Sequence, residues 1–443
     1  MKRPIFDFIT EYNKSGTLRC HMPGHKGRAV PRELAEITQL DITEISGADS
    51  LFEASGIIAE SEKNMSELYR TTATVYSAAG STLCIQAMLA VMKQENRRIF
   101  AVRNVHRAFL NAAALLGIGV EWIIPVYNGG ILSGEIVPEQ VEELLKSCSE
   151  PSCLYVTSPD YTGKTADIAA LAEICRRYDS RLIVDNAHGA HLAFMPENQH
   201  PIALGADLCC DSAHKMLPAL TGTAMLHSSR EEYSAARLKQ TMGLFASTSP
   251  SYPIMASLDL CTEYIRENIR ADIAENLPLL RELRTEFSGT LKFAEGEPFH
   301  VTIMAEESGF CGTELAQLLR ENGCECEYAD DSLVILLMSP VCRWEDYIRL
   351  KGAMWKALEK AERHEPKSVI FELYPAERAM SVRDAVFAPC EEISVDEALG
   401  RICGAVNVPC PPAVPIAVSG EIISENCINI LKRYGISTVN VVK

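Results

Sequence analysis

From Thr71 to about Gln240 the chain alternates short β-branched and aromatic runs with longer helical ones, and its Gly, Pro, Asn and Asp residues collect between them. Seven short runs are predicted as strands: 74–76, 99–102, 122–125, 153–157, 181–184, 208–210 and 223–226. The intervening helices are predicted over 83–93, 138–146 and 168–178, with another over 230–240 after the last strand. Alternation of this kind constrains the fold because helices between successive strands cover both faces of a mainly parallel sheet. A charged helical stretch over 261–287 follows. Strands at 300–304 and 333–338 then alternate with helices at 313–322 and 344–363, which predicts a smaller α+β region. A passage around Pro409-Cys410-Pro411-Pro412 precedes a final helix at 425–434. Residues 1–60 read as an amphipathic start and a Gly/Pro-bearing arm without an evident core of its own. No internal repeat is present, which excludes solenoids.

With 47% hydrophobic and 23% charged residues over 443 positions, the chain can bury a large core. Forty-two Lys and Arg against fifty-nine Asp and Glu leave a net charge of −17. That field repels nucleic-acid phosphate and anionic lipid, so neither is expected as a partner, and it suits a cationic small molecule. No apolar run approaches the roughly 20 residues of a membrane helix. The start Met1-Lys2-Arg3-Pro4 lacks the apolar stretch of a signal peptide, so a cytoplasmic location is expected. Sixteen cysteines without regular spacing read as reduced thiols. No metal is expected: Cys209-Cys210 and Cys324-Glu325-Cys326 lack the C-x₂-C spacing of a zinc ribbon. His21 and His25 are parted by Pro23-Gly24, and His188 and His191 by Gly189.

Three sites carry chemistry. Ser77-Ala78-Ala79-Gly80-Ser81-Thr82 lies between a predicted strand and helix, the outline of a phosphate cup; an ordinary N-cap by Ser81 or Thr82 explains it equally. Neither a G-x-G-x-x-G fingerprint nor a P-loop is present. The strand at 181–184 delivers Asp185 and then His188 to its carboxyl end, where ligands of open α/β sheets bind. A helix-capping role for Asp185 is the alternative. The strand at 208–210 leads to Asp211-Ser212-Ala213-His214-Lys215, whose lysine is either solvated or a Schiff-base nucleophile. Taken together, a phosphate cup, a strand-end acid and a strand-end lysine are the three anchors that pyridoxal 5'-phosphate needs. Their order is that of the aspartate-aminotransferase-like fold, fold type I.

Six segments in order resemble the Orn/Lys/Arg decarboxylase family. They are His21-Met22-Pro23-Gly24-His25-Lys26-Gly27, Asn104-Val105-His106-Arg107, Thr157-Ser158-Pro159-Asp160-Tyr161-Thr162-Gly163, Asp185-Asn186-Ala187-His188-Gly189-Ala190-His191, Ser212-Ala213-His214-Lys215-Met216-Leu217-Pro218 and Ser247-Thr248-Ser249-Pro250-Ser251-Tyr252-Pro253. The resemblance runs to about Asp259 and suits the family's shorter members. It implies an α/β, fold type I large domain over 61–290 with a mainly parallel seven-stranded sheet. An arm over 1–60 precedes it and a smaller C-terminal α+β domain over 291–443 follows. By resemblance Lys215 is the Schiff-base lysine, Asp185 the partner of the pyridine nitrogen and His106 the ring stacked on the cofactor. Gly80, Ser81 and Thr82 hold the phosphate, Ser212 and His214 add donors, and Ala187 is a cofactor contact. Thr248, within Ser247-Thr248-Ser249, reaches the phosphate of a neighbouring subunit, which implies a homodimer or higher assembly with shared sites. His188 contacts the cofactor or substrate, and either it or Lys215 returns a proton to Cα.

The implied reaction is decarboxylation of arginine, lysine or ornithine to a polyamine-pathway amine, with arginine and lysine ahead. The phosphate loop has Ala79 where many members have Asn. Pro411-Pro412-Ala413-Val414-Pro415 and Ser419-Gly420-Glu421 also depart from the family's pattern. Glu421 reads either as an acid near the substrate's cationic end or as an exposed helix-start residue. Competing readings are an aminotransferase with Arg343 or Arg378 on the substrate carboxylate, a Cα–Cβ lyase, and a catalytically silent regulatory paralogue.

Overall fold

The computed structural model describes residues 2–127, 130–367, 372–404 and 414–443, so the proline-rich passage 409–412 and Ala413 lie outside the described residues. Seven strands make the main sheet: β1 Ala73–Ser77, β2 Arg98–Val102, β3 Val120–Ile123, β4 Ser152–Thr157, β5 Ser180–Asp185, β6 Leu208–Asp211 and β7 Ala224–Ser228. Each falls on one of the seven predicted runs. The chain divides into two compact units, 1–91 with 183–273 and 92–182 with 274–443.

In the first unit the strand order is β1-β7-β6-β5. β5 and β6 are parallel, with Asp185 opposite Cys210, while β7 runs antiparallel to both β6 and β1. Ile183, Val184, Leu208, Cys209 and Cys210 are fully buried, as expected of strands covered on both faces. β1 is the edge. Its outward N–H groups at Thr74 and Tyr76 donate to Ser66 Oγ and Glu62 Oε1, both at 2.9 Å, on the helix Ile57–Tyr69. Side chains thus close an edge that would otherwise offer itself to another strand.

The arm joins this unit's core. Its helix Pro4–Lys14 buries Ile5 and Ile9 and packs on helices Ile57–Tyr69 and Tyr252–Glu267. Asp259 accepts the N–H groups of Ile5 and Phe6, each at 2.9 Å, and the Ser61 hydroxyl at 2.6 Å. Burial pushes the Asp259 carboxyl up to about 6 from 3.8. Because the folded value lies above the unfolded one, this group's share of stability is complete below pH 3.8 and is lost as pH rises through about 6. Asp259→Asn is therefore expected to remove that decline. Urea midpoints measured across the same range check it, and parallel profiles for variant and parent would assign the decline to other groups.

In the second unit β4, β2 and β3 are parallel neighbours in that order. β8 His300–Ile303, β9 Tyr328–Ala329 and β10 Val334–Leu337 form an antiparallel sheet, and β11 Cys390–Ser394 pairs antiparallel with β12 Thr438–Val442. The structure adds elements that the sequence reading did not predict, among them the helix Arg107–Leu116 and strands β9 and β11, and it departs from that reading elsewhere as well. The helix predicted over 261–287 is two, Tyr252–Glu267 and Ile269–Phe287, parted at Asn268. The helix predicted from 230 begins at Ala235, because Ser234 caps it by accepting from the Arg237 N–H. The last element is β12 and not the helix Glu425–Arg433. No described helix is long and apolar enough to cross a membrane.

Candidate active site

β5 ends in Asp185, a buried carboxylate whose Oδ1 accepts from the Ala187 N–H at 3.2 Å and faces Cys210 Sγ at 3.6 Å. The chain then turns sharply: Asn186 N–H donates to the Cys210 carbonyl at 2.9 Å, and Gly189 N–H donates back to the Asn186 carbonyl at 2.8 Å. This turn buries Ala187 and His188 and sets His188 Nε2 at 2.9 Å from Lys215 Nζ. Lys215 reaches that point from the neighbouring strand, since β6 ends in Asp211 and passes through Ser212 into the short helix Ala213–Met216. Asp185 and Lys215 thus follow adjacent parallel strands at the same sheet edge.

The loop after β1 meets the lysine loop through hydroxyls, Ser212 Oγ donating to Ser81 Oγ at 2.9 Å. Gly80 has φ +68°, a left-handed conformation that favours glycine, and its N–H is committed to the Gly222 carbonyl at 2.7 Å. Gly80 therefore contributes shape, not a donor. Groups able to donate to an anion are the Ser81 and Thr82 hydroxyls and the first-turn N–H groups that follow Gly80 in the helix Gly80–Gln94, which have no intrahelical acceptors. Next to Gly222, the buried Thr223 Oγ1 has no partner among the described residues. The Thr223 carbonyl accepts from His214 Nδ1 at 2.9 Å, which presents Nε2 as that ring's second nitrogen.

The first unit therefore brings together Asp185, Ala187, His188, Ser212, His214, Lys215, Gly80, Ser81 and Thr82. His106 lies in the second unit as the N-cap of the helix Arg107–Leu116, its Nδ1 accepting from the Ala108 N–H at 3.1 Å. Thr248 is exposed, within a segment where Ser249 N–H donates to Ser247 Oγ. Glu421 is not the exposed helix-start residue of one reading. It is buried, forms a two-pronged ion pair with Arg103 at 2.7 and 2.8 Å, and accepts from the Val418 N–H.

Residues 3–304 match the Orn/Lys/Arg decarboxylase major domain. The chain belongs to the Orn/Lys/Arg decarboxylase family. It is 28% identical over 456 residues to an arginine decarboxylase of Halalkalibacterium halodurans, covering 96% of this chain and 91% of that one. Its fold is like that of a Francisella novicida lysine decarboxylase, with a TM-score of 0.81 at 16% identity, covering 100% of this chain and 81% of the other. An SPT structure solved with PLP shares the fold more distantly, with a TM-score of 0.56 at 12% identity over 70% of this chain and 80% of that one. The fold type I α/β architecture expected from the sequence is the one observed. This family member is a pyridoxal-phosphate-dependent decarboxylase, and its residues fit the cofactor. A buried strand-end acid, a lysine in the short helix after the adjacent strand, and paired hydroxyls beside an orphaned buried hydroxyl are the kinds of group that a ring nitrogen, an aldehyde and a phosphate call for.

Sequence reasoning did not assign Asn186, His200 or His227, which pack with Asp211 beneath these loops. Only Asp211 and Asn186 lie in motifs. The two histidines are scattered along the chain and carry no local signal.

Proposed function

We propose that this decarboxylase acts on arginine, with lysine and then ornithine as the other basic candidates, releasing carbon dioxide and the amine that enters polyamine synthesis. The observation that carries the residue roles is the 2.9 Å contact of Lys215 Nζ with His188 Nε2, in the turn that follows Asp185. When bound, pyridoxal phosphate supplies an electron sink for the bond being cleaved. Lys215 provides the amine that carries the cofactor. Asp185 holds a proton on the ring nitrogen, an electrostatic effect that raises the rate because it is strongest as charge develops. The Ser81, Thr82 and Ser212 hydroxyls and the helix N-terminus hold the phosphate. His188 and Lys215, within hydrogen-bond reach of each other, form one proton-transferring pair that returns a proton to Cα. His106 stacks on the ring, and Thr248 of a second copy completes the phosphate site. The exposure of Ser247, Thr248 and Ser249, next to Leu244 at 70% exposure, supports a homodimer with shared sites. The reading places this dimer in the cytoplasm.

Incubation with pyridoxal phosphate and each of arginine, lysine and ornithine is expected to give carbon dioxide and the matching amine in equal amounts, with the highest kcat/KM for arginine. Keto acid with pyridoxamine phosphate would make the chain an aminotransferase. Failure to bind the cofactor would make it a silent paralogue.

A further inference from the structure

Beneath the strand ends lies a polar network that the reaction does not touch. Asp211 closes β6 four residues before Lys215 and is fully buried. Its Oδ1 accepts from Asn186 Nδ2 at 2.7 Å; its Oδ2 faces His200 Nε2 at 3.1 Å and His227 Nε2 at 3.3 Å, the latter bent away from the ideal line. Cys209 Sγ lies 3.6 Å from Oδ1. The chain of contacts continues from His227 Nδ1 to Thr74 Oγ1 at 2.9 Å and on to Thr71 Oγ1 at 2.7 Å. Asn186, His200 and His227 are all at most 1% exposed. The ligand atoms of His200, Cys209 and Asp211 sit within 4.8 Å of one another, yet the Asp211 oxygens are already taken by N–H donors, so the cluster reads as a hydrogen-bonded hub.

We infer that Asp211 is a positioning residue that, through Asn186, holds the turn bearing Asp185 and His188 in register with Lys215 on its own strand. The inference rests on the roles proposed above for those three residues. Asn186 stands between Asp185 and Ala187-His188 and is gripped twice by consecutive residues of β6: its N–H by the Cys210 carbonyl and its side chain by Asp211. Two bonds from successive residues fix both the position and the rotation of the turn. β6 also leads directly into Ser212 and Lys215, so one contact sets the spacing of the two loops. The turn is closely packed around it, since a Cβ on Gly189 would come within 2.7 Å of Asn186 Cγ and of Leu192 Cδ1. A carboxylate suits the hub because it only accepts; an amide there would turn an NH₂ group against a donor.

Asn186→Ala removes the strut and leaves Asp211 with both histidines, while Asp211→Asn replaces an acceptor by a donor. In the holoenzyme each is expected to lower kcat about 10- to 100-fold with KM changed less than about threefold, the signature of a reacting group displaced by a fraction of an ångström. The pH midpoint of the lysine-bound cofactor's visible absorbance is expected to shift as well, a readout that a purely structural role would not move. Wild-type kcat and an unshifted midpoint in Asn186→Ala, even with a lower Tm, would overturn the inference, and that variant decides if Asp211→Asn fails to fold. Absence of the absorbance in the parent protein would overturn the proposed roles and this inference together. Its presence in the parent with unchanged variants would overturn this inference alone.

Discussion

Lys215→Ala is expected to lose turnover by a factor on the order of 10⁴ or more, together with the visible absorbance of the lysine-bound cofactor, without loss of fold. The side chain is half-buried and projects from a four-residue helix that alanine favours, so its removal strands no fully buried charge and breaks no strand pairing. What it loses is the amine that faces His188 Nε2 at 2.9 Å. Ser81 and Ser212, which meet through their own hydroxyls, are untouched, so equilibrium dialysis is expected to show weakened but measurable binding of pyridoxal phosphate. His188→Gln, by contrast, keeps the lysine and is expected to retain the absorbance while slowing product formation by about 10²- to 10⁴-fold, the range of a lost acid–base group. Stopped-flow absorbance and carbon dioxide release separate the two variants. Turnover at the parent rate in Lys215→Ala would remove the assignment of this lysine.

The strands that position this site were legible because they are buried on both faces and therefore read as unbroken apolar runs. Leu182-Ile183-Val184 and Leu208-Cys209-Cys210 each end abruptly in an aspartate, which marked both the strand's end and the chemistry. β12 was equally readable in principle: Val439 and Val441 are buried in alternation with Thr438, Asn440 and Val442, the period of a half-covered strand. The break at Asn268 has neither a Gly nor a Pro to announce it. The hub around Asp211 stayed hidden for a different reason. Its members come from β1, β6, β7, the turn after β5 and the residue His200, and only the folded sheet brings them to one point. The committed N–H of Gly80 was likewise invisible, because Gly222 lies far along the chain.

The same reasoning governs Glu421, whose partner Arg103 is 318 residues away in sequence. Both side chains are at most 5% exposed, the pair is two-pronged, and the guanidinium also lies over the Trp122 ring at 5.0 Å and donates to the Ile416 carbonyl at 3.3 Å. An arginine stays charged wherever it sits, so Glu421→Gln leaves an uncompensated buried cation. Breaking a buried pair from one side removes about 3–5 kcal/mol, whereas replacing both partners by apolar residues of similar size is often nearly neutral. Glu421→Gln is therefore expected to lose stability in that range, and the double variant Arg103→Met with Glu421→Leu to lose much less. Urea unfolding of Arg103→Met, Glu421→Leu and the double variant closes the cycle, with Glu421→Gln measured beside them. A loss below about 1 kcal/mol in Glu421→Gln would show a pair that water reaches. The consequence extends to the cofactor. Arg103 follows β2 directly and stands three residues before His106, the imidazole proposed above to stack on the cofactor, so losing the bond to Glu421 loosens the segment that carries it. Weaker cofactor binding is expected in Glu421→Gln and recovery in the double variant, which distinguishes loop placement from any direct part for Glu421 in binding substrate.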